Sequence, residues 1–136
     1  MHTLFRSTLL AVLVSTAAAA HAWPDKPVRI VVPAPAGSSL DVIARTLGDK
    51  LSPQWKQPVV VDNKPGAGGM IGVGQAAKAT PDGYTLTIGV NGPIAFGPFM
   101  VKKMAYDPAK DLIPVVLTTS QPNVLAIPAS NPARTL

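Results

Sequence analysis

The 136-residue sequence has no cysteine and no glutamate; all seven of its acids are aspartates. Its two histidines, His2 and His21, both fall within the first 22 residues. Without cysteine there is neither a disulfide staple nor a thiol nucleophile. Beyond residue 22 the usual general bases and zinc ligands are missing as well, which leaves Asp, Lys and Tyr. An Asp–Lys or Ser–Lys mechanism survives that exclusion, but neither a Ser-x-x-Lys motif nor a Gly-x-Ser-x-Gly elbow occurs. No metal site and no cofactor are expected: Met70, Met100 and Met104 lack a ligating spacing. Aromatic residues are sparse, with Trp23, Trp55, Tyr84, Tyr106 and three Phe. The basic residues are scattered among them, without the interleaving that stacks bases, so no nucleic acid is expected as a partner. No second apolar stretch of ~20 residues follows the start of the chain, so no membrane span is expected there.

Residues 1–22 read as a cleavable signal peptide. Arg6 supplies the positive start, Leu9–Ala20 the apolar core, and Ala20-His21-Ala22 a small-x-small cleavage site. An uncleaved anchor is the bland alternative. The mature chain then begins at Trp23, is secreted, most simply to a bacterial periplasm, and retains 114 residues, enough for one modest domain. Eleven basic residues face seven acidic ones, a balance of +4 that reads as a solvated surface.

Two segments each run from a strand into a Gly/Pro loop that opens a helix. Val28–Val32 is an apolar run broken only by Arg29, as in a buried parallel strand, and Pro33 and Pro35 end it. Ser38 stands three residues before Asp41, a capping-box-like start, and Leu40, Ile43, Ala44, Leu47 and Leu51 recur at helical spacing. The helix is expected from about Ser39 to Leu51, stopped by Ser52-Pro53. Val59–Val61 is a second strand, followed by the glycine loop Gly66–Gly69 and an Ala-rich helix to about Ala79. Pro81-Asp82-Gly83 turns into a third strand, Tyr84–Val90, and Asn91-Gly92-Pro93 is a third loop. A helix over Ile94–Met104, an extended lead Met104–Pro108, strands over Leu112–Thr118 and Asn123–Ile127, and a helix opening at Ser130 or Asn131 before Pro132 complete the reading. The β-α-β-α-β order puts three strands in one parallel sheet and the three loops at its carboxyl edge.

Such loops present backbone N–H groups at the positive end of a helix, where an anion can dock. In the first loop, Pro35, Ala36, Gly37, Ser38 and Ser39 are candidate ligand contacts; a capped helix start with solvated serines explains the same residue types. Asp41 would repel an anion, so capping is its first role and contact with a ligand amine or hydroxyl its second. In the second loop, Gly66, Ala67 and Gly68 are candidates beside the commoner reading of a tight turn. It is no dinucleotide fingerprint, because Ile71 stands where a third glycine is required, and no P-loop Gly-Lys-Ser/Thr occurs. Asn91 and Gly92 offer an amide side chain and a free N–H, or a plain turn.

The sequence resembles a known family through ordered segments: Trp23-Pro24-Asp25-Lys26-Pro27-Val28-Arg29-Ile30-Val31-Val32-Pro33, the Pro-Ala-Gly-x-x-x-Asp loop, Pro58–Gly69, Pro81-Asp82-Gly83-Tyr84-Thr85-Leu86 and Tyr106-Asp107-Pro108-x-x-Asp111-Leu112-x-Pro114-Val115. It is similar to the Bug family of periplasmic solute receptors, which serve tripartite tricarboxylate transporters. The resemblance implies an α/β fold of the periplasmic-binding-protein type II, with two lobes closing around a small carboxylate or related solute and no chemistry. Its implied partners are that ligand and the membrane subunits of the transporter. It implies ligand contacts by the first loop, carried onto Pro35–Ser39, partly through backbone N–H groups and bridging waters, and by the third loop, Asn91–Pro93. Ser38 stands where many relatives have glycine, so ligand specificity does not transfer.

Family members are considerably longer. On that basis residues 23–117 read as an incomplete first lobe and 118–136 as the crossover and start of a second, a truncated copy expected to be marginally stable and to bind weakly or not at all. Two alternatives stand beside the receptor: a small secreted enzyme using Asp, Lys or Ser, and a structural fragment without a ligand.

Overall fold

The computed structural model describes residues 23–120 together with 126, 128 and 130. The expected signal peptide, the strand over Asn123–Ile127 and the helix opening at Pro132 lie outside those described residues.

Three parallel strands form one sheet in the order β2-β1-β3, with β1 at Val28–Val32, β2 at Val59–Asn63 and β3 at Thr85–Thr87. Val28 pairs with Val59 and Ile30 with Val61 on one side of β1; Arg29 pairs with Thr85 and Val31 with Thr87 on the other. Parallel neighbours need crossovers, and helices α1 (Ser39–Trp55) and α2 (Met70–Ala77) supply them. α1 packs against β2 and β1, and α2 against β1 and β3. That two-sided cover explains the apolar character of the central strand, broken only at Arg29, in which Val28, Val31 and Val32 are fully buried. Ile30, Val32, Ala44 and Ile88 form a core cluster, with Leu40, Ile43, Leu47, Val59, Val61 and Leu86 packed around it.

The expected β-α-β-α-β order is observed, but several boundaries differ. α1 does not stop at Ser52-Pro53; it continues to Trp55 and ends on Lys56 in the left-handed conformation (φ 54°). Pro53 lies in the last turn, and the Asp49 carbonyl it leaves without a donor belongs to an exposed residue that water can reach. The Ser52 hydroxyl donates to the Gly48 carbonyl (2.7 Å) and accepts from the Val59 amide (3.1 Å), fastening the helix end to β2. The extra turn brings Trp55 edge-on to Trp23, with ring centroids 5.1 Å apart. Tyr84 joins them at 5.9 Å from Trp23, closing an aromatic cluster beside the strand starts.

β3 ends at Thr87 rather than Val90, apart from one further bond from the Ile88 amide to the Val31 carbonyl (3.2 Å). β1 gives way to Pro33, which has no N–H to continue the ladder. The expected third loop is itself helical: a wide π turn over Gly92–Phe96 runs into the short helix α3 (Gly97–Met100), which ends four residues before the expected Met104. Pro93 is tolerated because the first amides of a helix have no partner to lose.

The expected strand over Leu112–Thr118 is absent. After α4 (Pro108–Asp111) the chain has no regular structure among the described residues, and Ile113, Val115, Val116 and Leu117 are each at least 74% exposed. Its β-branched residues favour a pleated surface, but a strand needs a neighbour to complete its hydrogen bonds, and none of the three sheet strands lies beside it.

Candidate anion-binding edge

The carboxyl edge of the sheet is where its three following segments meet, and glycine makes the meeting close enough. A Cβ on Gly69 would stand 3.2 Å from both the Pro33 carbonyl and the Pro93 ring, and Gly69 has φ 95°. A Cβ on Gly72 would lie 2.7 Å from the Lys64 carbonyl and 2.8 Å from Pro33 Cα. Gly69 is thus wedged between Pro33, just past the end of β1, and the Pro93 ring, and Gly72 rests on Pro33 as well. The loop itself is unusual: Gly66, Ala67, Gly68 and Gly69 all have positive φ, with the non-glycine Ala67 at 48°. Such a conformation costs energy unless its surroundings impose it, and it concentrates at functional sites.

Of the residues singled out in the sequence, Pro35, Ala36, Gly37, Ser39, Gly66, Ala67, Gly68, Asn91 and Gly92 are exposed along this edge, and Ser38 is half-buried. Gly92 lies against the glycine loop, where a Cβ would be 3.6 Å from the Gly68 carbonyl. The first loop keeps only part of its donor set free. The Gly37 amide donates to Asp41 Oδ2 (2.8 Å), and the Ser38 amide donates to the Pro35 carbonyl (3.2 Å). Ser38 caps α1, its hydroxyl oxygen accepting from the Asp41 amide (3.3 Å). The amides of Ser39 and Leu40 are the first two of α1 and have no partner within the helix. The Ser38 hydroxyl hydrogen also remains to be donated.

Asp41 is the one buried charged side chain among the described residues, at 3% exposure. Its Oδ2 also accepts from Arg45 Nε (2.9 Å), one helical turn on, and its Oδ1 accepts from Asn63 Nδ2 (3.0 Å). Asn63 Nδ2 further donates to the Ala34 carbonyl (3.2 Å), while its Oδ1 accepts from Arg45 Nη2 (3.3 Å). The Arg45 guanidinium, the Gly37 amide and the Asn63 side chain together pull the Asp41 carboxyl down to about 2, against the opposing effect of burial. The acid is therefore a carboxylate with its charge cancelled from within. The cap itself is Ser38; Asp41 instead braces Gly37, the residue before the cap, and its oxygens are turned into the protein rather than toward a ligand amine.

Arg45 was legible from its i, i+4 spacing to Asp41. Asn63 carried no local signal, because its partners lie 22 and 29 residues away. Asp62, next to it, pairs with both Arg29 (3.3 Å) and Lys64 (3.2 Å). The edge thus offers an anion amides and a hydroxyl, with the neighbouring cations already engaged. No group of three His, Cys, Asp or Glu side chains that could hold a metal ion occurs among the described residues. An open cleft of about 490 Å³ lies elsewhere, beside α2, lined by Met70, Ile71, Gly74, Lys78, Met104 and Tyr106 among others, and it touches the loops only at Ala67.

Comparison with known proteins bears on this edge. Residues 43–136 match the tripartite tricarboxylate transporter family receptor. A UPF0065 protein of Bordetella bronchiseptica is 43% identical over 129 residues, covering 95% of this chain. Among solved structures, the periplasmic binding protein BugD is 40% identical with a TM-score of 0.61. Two proteins of Rhodopseudomonas palustris superpose equally well (TM-score 0.61): Rpa4515 with adipate, 39% identical, and MatC with bound malate, 35% identical. Each superposition covers 65% of this chain. The chain spans 38% of the length of the Bordetella relative and 29–30% of these solved chains. These relatives are solute-binding proteins and not enzymes.

Proposed function

The chain belongs to the tripartite tricarboxylate transporter family of receptors, the Bug-type receptors, and from that premise we propose that it captures a small carboxylate at the loop edge of its sheet. The observation that carries this reading is the meeting of three strand-to-helix segments at Gly69, which sits against both Pro33 and Pro93, with the Ser39 and Leu40 amides opening α1 after the first of them. Donors fixed in advance at a helix start favour a carboxylate without a formal cation. The ligand contacts are Pro35, Ala36, Gly37, Ser38 and Ser39 from the first loop, Gly66, Ala67 and Gly68 from the second, and Asn91 and Gly92 from the third. Adipate and malate in the two Rhodopseudomonas relatives support dicarboxylates as the first class to try.

In this reading residues 1–22 direct the chain to the periplasm and are removed, 23–117 form the first lobe, and 118–136 lead toward a second. The bound acid bridges the two lobes and stabilises their closed arrangement, which membrane subunits of the transporter recognise. Calorimetric titration of the purified chain with adipate and with malate tests it. Saturable binding that vanishes on Ser39→Pro, which removes the first partnerless amide of α1 at a position where a helix tolerates proline, supports the reading. Heat of binding unchanged by that substitution sinks this site.

A further inference from the structure

Building on the carboxylate site just proposed, we infer that Asp41 is the positioning residue of the first loop, a clamp behind it that sets where the Ser39 and Leu40 amides and the Ser38 hydroxyl stand. The carboxylate is turned away from a solute: it is 3% exposed, with Oδ2 holding the Gly37 amide and Arg45 and Oδ1 holding Asn63. The clamp spans three separate pieces of backbone. Through Gly37 it grips the loop just before the cap of α1, through Arg45 the next turn of the helix, and through Asn63 the end of β2 and the Ala34 carbonyl at the end of β1. Ser38 alone would cap the helix, and a neutral side chain at position 41 would suffice for a local turn. A carboxylate makes stronger bonds to Gly37 and Asn63 than a neutral acceptor would, and Arg45 cancels its charge so that it does not repel an incoming acid. The consequence for specificity is that the first loop grips the acid end of a solute and offers no carboxylate to an amine.

The test uses the ¹⁵N-labelled full chain and its Asp41→Asn variant, which keeps the size but sets an amide donor against that of Asn63. In the wild type the Gly37 amide resonance follows the Asp41 carboxyl, titrating near pH 2 rather than in the ordinary carboxylate range. In Asp41→Asn the core amides of β1 keep their positions, those of Gly37 to Leu40 move, and affinity for adipate or malate falls roughly tenfold or more, as small misplacements of positioned donors do. Gly37–Leu40 amides unmoved in the variant, or wild-type affinity with moved amides, overturns the inference. If the wild type binds neither acid, the carboxylate reading fails on its own, and the amide comparison still decides the clamp. Should Asp41→Asn not fold, Asn63→Ala, which leaves the Asp41–Gly37 bond in place, is expected to shift the Ala34, Ala36 and Gly37 amides and weaken binding; no shift there overturns the clamp equally.

Discussion

The two ends of the sheet are built by opposite means. At the strand starts, large side chains do the joining: Trp23 against Trp55 and Tyr84, the Tyr84 hydroxyl donating to Asp25 (2.6 Å), and Lys26 both paired with Asp82 (3.1 Å) and seated 4.2 Å from the centre of the Tyr84 ring. At the strand ends the loops meet backbone on backbone through Gly69, Gly72 and Pro33, with the Asp41, Arg45 and Asn63 side chains turned inward behind the first loop. An aromatic cluster that is half in water tolerates loss of a member, because what remains can shift and hydrate. A contact between backbones has no such latitude. The same bareness leaves amides free for a ligand, which is why the rigid end is also the candidate site.

The sharpest way to break the comparison is Gly72→Ala. Its new methyl would sit against the Lys64 carbonyl and Pro33 Cα, both backbone atoms, and the expected loss is about 3 kcal/mol, seen as a fall in the urea midpoint of unfolding. Retention of wild-type stability would mean that the edge is softer than its geometry. Trp55→Ala at the opposite end removes a half-buried ring and is expected to cost about 2 kcal/mol while leaving the loop amides in place. A larger loss than from Gly72→Ala would invert the comparison. Ser38→Ala deletes the cap of α1 and is expected to cost about 1 kcal/mol by thermal melting.

The contribution of Asp41 is present at neutral pH and shows itself by its loss in acid. Its carboxyl is held below the unfolded value of 3.8, at about 2, so the stability it contributes is fully present above pH 4 and is lost as pH falls through about 2. Melting temperature followed from pH 5 down to 2 should therefore fall less steeply in Asp41→Asn than in the wild type. Parallel curves would deny Asp41 any part in the acid response. Asp82 at the other end is also lowered, first by the Tyr84 amide and then by Lys26, but its ion pair is open to water.

Periodicity along the chain was enough to read β1 to its ends, the starts of α1 and β2, and the alternation that makes the sheet parallel. Where the reading failed, a distant partner or the lack of one was responsible. Ser52-Pro53 has every local mark of a helix stop, yet the bond from the Val59 amide to Ser52 and the contact of Trp55 with Trp23 carry the helix through it. Leu112–Thr118 has the composition of a strand, yet no sheet edge stands beside it among the described residues. The candidate loops were legible because glycine, proline and serine betray their backbone needs locally. The identity of the free donors was not: whether the Gly37 amide faces a solute depends on Asp41, and the setting of Asp41 depends on Asn63 at the end of another strand.

The sequence by itself determined the class of fold and of site, since strand runs, caps and turns are set by neighbours within a few residues and the missing His, Cys and Glu thin out the catalytic alternatives. Tertiary structure alone decided that Asp41 turns inward as a neutralised carboxylate, that three segments meet at Gly69 between Pro33 and Pro93, and that α1 outlasts its proline. The physical reason is range. Dihedral preference and hydrophobic period act along the chain, whereas charge cancellation and close packing require groups that meet only once the chain has folded.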